Sequence, residues 1–446
     1  MLKVTFQKAN RRFQFRLGGK RLPALTALSA LIFVLLGGIP LAWSGESSSI
    51  RLTLRDAVQL ALKQNPQVQI ASINLAQSEQ DKVLARSKLL PQVGVQLTDA
   101  ALRGNFEALA GRPIPLFPRQ IGPFQQFQAG ASYSVPVFDL TLWRRWQAAD
   151  YAAKGMVAQS QSLREQITLL VVSQYLSCLR AKAALAAVQS RVDLAQALYK
   201  LASDLQEHGV GTGIDTLRAN VQLQSEKQGV IVVDTQLKIS LYGLSRLLNL
   251  DPQKKLDLAD EMSFVATPPS EAGQDLEQAY GKRPEMEALQ EREMAVSRLK
   301  DAAGAARLPS VRATGSWAYQ GLSVTNSIPI YEYRMTLSPP LYTGGQIKAE
   351  RAKTELELKK VGQEKQELRN QMTLQVQVAK AELDSARSEV EVANLALKLA
   401  NEEVTQARDR FEAGVANNLE VVTAQNELAR ADLARATGQM EALYGR

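Results

Sequence analysis

The chain has 446 residues, 45% of them apolar, which is room for two or three folded domains and no guide to which class. Its formal charge of +8 suggests a nucleic-acid partner, yet Lys3, Lys8, Arg11, Arg12, Arg16, Lys20 and Arg21 all precede the first acid. Subtracting those 7 from 53 bases leaves 46 against 45 acids, so the basic patch that nucleic-acid binding needs is gone. With one cysteine, Cys178, no intrachain disulfide can form, and with one histidine, His208, a His/Cys metal site or a nucleophile–base pair has little to draw on. No Gly-rich phosphate loop or paired acid motif stands in a suitable setting, so neither a cofactor nor a catalytic residue is expected.

In chain order, the basic stretch leads into an apolar run, Leu22 to Trp43, interrupted by Gly37, Gly38 and Pro40 and followed by Ser44 and Gly45. That order predicts a signal peptide over residues 1–45 and export by the general secretory route. The run is also about long enough to span a bilayer, so a retained anchor is the competing reading.

A first repeat is predicted over 46–244. A helical stretch with Asn65-Pro66 ends at Leu90-Pro91, and alternation begins at Val93, Val95 and Leu97. A Gly/Pro-rich loop is expected over 103–125, followed by a second alternating segment with Phe127, Ala129, Ala131, Tyr133 and Val135 on one face. From about Thr141 to Leu205 no proline interrupts a helical pattern whose seam runs through Ile167, Val171, Gln174, Cys178, Ala181, Leu185, Val188, Val192, Ala195, Tyr199 and Ala202. Gly209, Gly211 and Gly213 then permit a tight turn into a returning helix. Residues 245–275, with Pro252, Pro268 and Pro269, read as an irregular linker.

The second repeat, 276–446, says the same again. Arg283-Pro284 and Leu308-Pro309 stand 218 residues after their counterparts, and the Gly414 turn 205 after the Gly209 turn, so the halves differ by an insertion in the longer first loop. Two more alternating segments follow, Val311 to Tyr319 and Tyr331 to Leu337, around a short connection at 321–329. Another unbroken rod from about Gly345 to Phe411 carries a 4,3,4,3 seam from Met372 through Val390 and Val404 to Phe411. At 1.5 Å per residue each rod is roughly 100 Å long, far more than a compact domain requires.

Segments of about ten residues with aromatic, apolar faces opposite polar ones fit a membrane barrel with a wet interior. Four strands cannot close such a barrel, and open edges are not tolerated in lipid, so several chains must contribute to one wall. The expected fold is therefore mainly α with a small β part: two long coiled-coil hairpins and four strands per chain.

Taken in order and in duplicate, the Asn-Pro to Leu-Pro helices, Pro136-Val137-Phe138-Asp139 matched by Pro340-Leu341-Tyr342-Thr343-Gly344-Gly345, and the Gly209 and Gly414 turns with Ala219 and Ala424 resemble the outer-membrane efflux proteins, the TolC-type channels. The resemblance covers essentially the whole chain after the signal. It implies a homotrimer with a twelve-stranded β-barrel in outer-membrane lipid and a periplasmic α-helical tunnel. It implies a passive exit duct serving a periplasmic membrane-fusion adaptor and an inner-membrane transporter. By the same resemblance, the tip segments with Gly209, Val210 and Gly211 and with Gly414, Val415 and Ala416 would contact the adaptor, although turn chemistry alone explains the glycines equally well. Asp215 and Glu420 begin the returning helices, where a carboxylate favours the helix N-terminus; in the family pattern Glu420 would form an acidic ring. That pattern has a second acid where this chain has Thr423, and Tyr and Arg where it has Phe411 and Ala416, so the ring should be weaker and the latch different. A periplasmic adaptor or scaffold with an uncleaved anchor is the alternative, and an enzyme is a third reading.

Overall fold

The computed structural model describes residues 50–113, 115, 118–260, 272–416 and 418–444. The expected signal peptide lies outside them.

The two repeats are built alike. In the first, α1 (Leu54–Gln64) and α2 (Pro66–Ser87) lead to β2 (Gln92–Asn105), β3 (Gln120–Phe138), the rod α4 (Leu140–Glu207) and the returning α5 (Gly213–Leu247). In the second, α6 (Ala272–Lys282) and α7 (Pro284–Ala305) lead to β5 (Ser310–Gly321), β6 (Ser327–Ser338), α8 (Gln346–Glu412) and α9 (Asn418–Tyr444). Pro66 and Pro284 each occupy the first helical turn, where a missing N–H breaks no bond. Asn65 caps α2 by accepting from the Gln67 N–H at 2.8 Å, whereas Arg283 gives α7 no side-chain cap.

The expected loop at 103–125 is shorter than its composition suggested. β2 extends to Asn105 and β3 begins at Gln120, with a short helix α3 (Phe106–Ala110) between them. Asn105 starts that helix by accepting from the Ala108 N–H, and Gly111 ends it at φ +70°. Cross-strand pairing carries the backbone through Gly104 despite its low strand propensity, and Gly122 falls at the register shift between the Leu102 and Gly104 pairs. The linker expected to be irregular holds β4 (Leu256–Leu258), which pairs in parallel with β1 (Ile50–Leu52), and its end contains the start of α6.

Strand order is β2-β3-β5-β6, antiparallel throughout. The register stacks Val93, Tyr133, Gly315 and Tyr333 in one row, and Val95, Ala131, Trp317 and Tyr331 in the next. The other face carries Gln92, Ser134, Thr314 and Arg334, then Gly94, Ser132, Ser316 and Glu332. Helices below the sheet keep its lateral order: α4 packs against α2 and α7, and α7 against α8. Nearer the turns the order is α5, α4, α9, α8.

The largest core lies midway along the rod. Ile167, Val171, Tyr175, Cys178 and Leu179 of α4 pack there against Ala57 and Ala61 of α1, Leu244 of α5, Leu248, Leu52 and Leu258. The Tyr175 hydroxyl, fully buried, lies 3.0 Å from the Leu52 carbonyl and 2.9 Å from the Asp260 carboxylate, which also accepts from the Leu54 N–H at 2.7 Å. One side chain thus ties the rod to the β1–β4 pair and to the start of α1. Burial and the neighbouring Asp260 both push the Tyr175 hydroxyl above its ordinary pKa. α4 is apolar and long enough to cross a bilayer by length and composition, and 33% of that apolar stretch is buried within the chain.

Candidate functional site at the helical tip and the sheet

Each rod ends in a turn that the sequence dictates. At the first, Gly209 adopts φ +76°, a conformation that side chains disfavour, and the N–H groups of Val210 and Gly211 both reach the Leu205 carbonyl. Gly211 is needed for space, since a Cβ there would approach the Gln206 nitrogen to 2.9 Å. At the second, Gly414 sits at φ +72° and Val415 donates to the Arg410 carbonyl at 3.1 Å. Val210 and Val415 are 76% and 70% exposed, two apolar tips held out by their turns, and Ala416 is half-buried.

The turns are level with one another. Leu198 and Ala202 of α4, Ala219 of α5, Val404, Ala407 and Phe411 of α8, and Val421 and Ala424 of α9 form one core. Phe411 is buried in it, so its aromatic ring serves packing. Asp215 and Glu420 are equivalent in sequence, and each has a described partner of its own. Asp215 closes a local cap with Thr212, accepting from its hydroxyl while the Thr212 oxygen accepts the Asp215 N–H. Glu420 reaches across the turn to Arg410 at 3.3 Å. Thr423 spends its hydroxyl on the Leu419 carbonyl one turn back, at 2.9 Å.

Two residues of this region escaped sequence reading. Arg410 stands outside the apolar seam, and only its opposite charge ten positions before Glu420 hinted at the pair. Gln425 is 4% exposed on α9, with no hydrogen-bond partner for its amide nitrogen among the described residues; nothing in its sequence neighbourhood distinguishes it from a solvent-facing glutamine. Among the described residues no group of three or more His, Cys, Asp or Glu could hold a metal.

At the other end, the sheet presents its apolar face outward without cover: Val93, Val95, Leu97, Tyr331, Tyr333, Met335 and Leu337 are all more than 60% exposed. Pro329 to Leu337 spans nine residues, which at about 3.3 Å each and a tilt of about 40° gives a band about 23 Å tall. That matches the hydrocarbon-facing band of an outer-membrane barrel.

The family described as outer membrane efflux protein matches residues 57–250 and again 276–443. The chain belongs to that family. It is 23% identical over 412 residues to the alkaline protease secretion protein AprF of Pseudomonas aeruginosa, covering 86% of this chain and 80% of that one. Its fold is similar to the outer-membrane channel OprN, with a TM-score of 0.76 at 16% identity over 88% of this chain and 87% of that chain. The outer membrane protein VceC of Vibrio cholerae gives 0.75 at 15% identity over 87% and 93%. The family membership makes the chain an exit duct of the outer membrane, its sheet forming barrel wall in lipid and its helical rods reaching into the periplasm as tunnel wall.

Proposed function

We propose that three copies of this chain close into one passive channel, which receives cargo from an inner-membrane transporter through a periplasmic adaptor docked at the helical tip. The observation that carries this reading is an alignment of open edges. β2 and β6 are the outer strands of the sheet, and directly beneath them α2 and α8 are the outer helices.

Nearer the tip the outer helices are α5 and α8, and each carries a second apolar seam that its own chain leaves uncovered. On α5 it runs through Ile214, Leu217, Val221, Ile231 and Tyr242, and on α8 through Leu374, Val378, Val392, Leu395 and Leu399; each set keeps one three-four register, with polar Gln224, Gln228, Thr235 and Lys238 filling the gaps on α5 and Ser385 and Ser388 those on α8. A seam of this kind is stable only against a matching helix, and a second copy supplies one. Three copies give twelve strands, an even number that closes.

The exposed tips at Val210 and Val415 offer the adaptor two small apolar knobs per chain, or six in the assembly. Residues 1–45, 46–244, 245–275 and 276–446 correspond in this reading to export signal, first repeat, linker and second repeat. The duct performs no chemistry; the resemblance to both a protein-secretion component and efflux channels supports leaving cargo choice to the transporter.

Ile231 lies 18 residues beyond Gly213, and Leu395 lies 18 before Ala413. With the turns level, the two sit at one height on opposite edges. An Ile231→Cys/Leu395→Cys protein treated with a short bis-maleimide should give covalent dimers and trimers and stop there. Absence of intermolecular product, or a ladder continuing beyond three, would contradict the proposal.

A further inference from the structure

We propose that Arg410 sets the ion selectivity of the periplasmic entrance by neutralising Glu420 within the same chain. The inference rests on the reading above, in which three copies of the second turn surround one opening.

The geometry is specific to the second repeat. Arg410 Nε lies 3.3 Å from Glu420 Oε2, with the two side chains 58% and 48% exposed, so the pair is held at the surface of the turn and not in the tip core. The turn fixes both partners: Val415 N–H bonds back to the Arg410 carbonyl, Gly414 reverses the chain at φ +72°, and Phe411, next to Arg410, anchors the end of α8 in the core. In the first repeat the position 205 residues before Arg410 is Leu205, and Asp215 is engaged by the Thr212 cap. The second hairpin therefore places a cation beside its carboxylate from a position where the first has only an apolar side chain.

Consequences follow from charge. A ring of three carboxylates within a Debye length of a narrow opening concentrates cations and repels anions. Adding one guanidinium to each carboxylate brings the net ring charge to zero and replaces a monopole field with short-ranged dipoles. With Thr423 in the place of a second acid, no further carboxylate stands one turn on to restore cation preference. A Glu420 ring without net charge favours cargo of neither sign at that level, which suits a duct whose transporter does the choosing.

Reversal potentials of the full mature protein in planar bilayers under a KCl gradient test this. Arg410→Gln should raise the cation-to-anion permeability ratio by about threefold or more. Arg410→Lys should stay near the wild type, and the double variant with Glu420→Gln should return to it. A separate Glu420→Cys protein, probed with a charged methanethiosulfonate, reports whether position 420 faces the opening. Cys178 does not interfere, being fully buried with its thiol pushed up to about 12 by that burial. Block of conductance in the Glu420→Cys protein with Arg410→Gln selectivity unchanged would overturn the role of Arg410 while leaving the entrance reading intact. Failure of both would overturn the entrance reading as well.

Discussion

The two helical hairpins descend from one sequence pattern and are built with different strength. α4 and α5 enclose Ile167, Val171, Tyr175, Cys178 and Leu244, five side chains no more than 1% exposed, and α1 with the β1–β4 pair covers them from outside. α8 and α9 close largely on small residues: Ala386, Ala393, Ala400, Ala407 and Ala424, with Val390 and Val404 between them. Burying alanine gains far less than burying leucine or tyrosine, so above the tip core that holds Phe411 and Val421 the described side chains hold the second hairpin more weakly than the first. In a duct whose tip opens, the thin hairpin is the one that can move and the thick one the frame. Regions that move are drawn from the less stable parts of a fold.

Substitutions can break this contrast. Leu244→Ala, in the middle of the first hairpin's core, should destabilise the protein by about 3 kcal/mol, seen as a lower thermal midpoint in detergent. Ala400→Gly in the second should cost only about 1 kcal/mol, chiefly from helix propensity. Equal losses would end the distinction between frame and moving part.

Next in size is the Tyr175 clamp. Tyr175→Phe takes the hydroxyl from both the Leu52 carbonyl and Asp260 and should cost about 1–3 kcal/mol, with hydrogen exchange rising at residues 50–54 before anywhere in α8. Protection unchanged at that strand would show that the belt is held by packing alone.

Gln425 sharpens the comparison from the other side. Its amide nitrogen has no partner among the described residues, so Gln425→Met, similar in shape and without the polar group, should raise stability by about 1 kcal/mol. If the thin hairpin is the moving part, the same change should lower the frequency of channel opening. A destabilised variant would mean that the amide makes a bond in the working state.

The smallest effect concerns the upper tunnel, where Asp150 joins Lys82 at 2.8 Å and Lys154 at 3.1 Å. The hydrogen bond from Lys82, opposed by partial burial, holds the Asp150 carboxyl below the usual range, and Asp150 in turn raises both lysines. A depressed carboxyl pKa contributes stability that is complete above the ordinary carboxylate value and disappears as pH falls through the lower folded value. Asp150→Asn should therefore cost at most about 1 kcal/mol at neutral pH and nothing in strong acid. A deficit that persists below the carboxylate range would point to lost packing instead of lost charge.

Sequence alone carried the long elements and missed the short ones, for physical reasons. Alternation and heptad seams are summed over dozens of residues, and eight of the twelve α8 seam positions from Met372 to Phe411 are buried in the single chain. Ala379, on the same seam, is exposed, so the pattern alone does not locate the contact. β1 and β4 are three residues each and find each other across more than 200 residues, a pairing no local pattern encodes. At the tip, the glycines announced the turns because φ near +70° demands them. The Arg410–Glu420 pair depended on where two flexible side chains end up after the chain reverses, which spacing does not specify.

The most direct measurement is the native mass of the mature protein taken from outer-membrane fractions in mild detergent, by light scattering with the detergent subtracted. Three times the mature chain's mass is the predicted result. A monomer, or a species recovered only from the soluble or inner-membrane fraction, would contradict the duct and favour an anchored periplasmic scaffold.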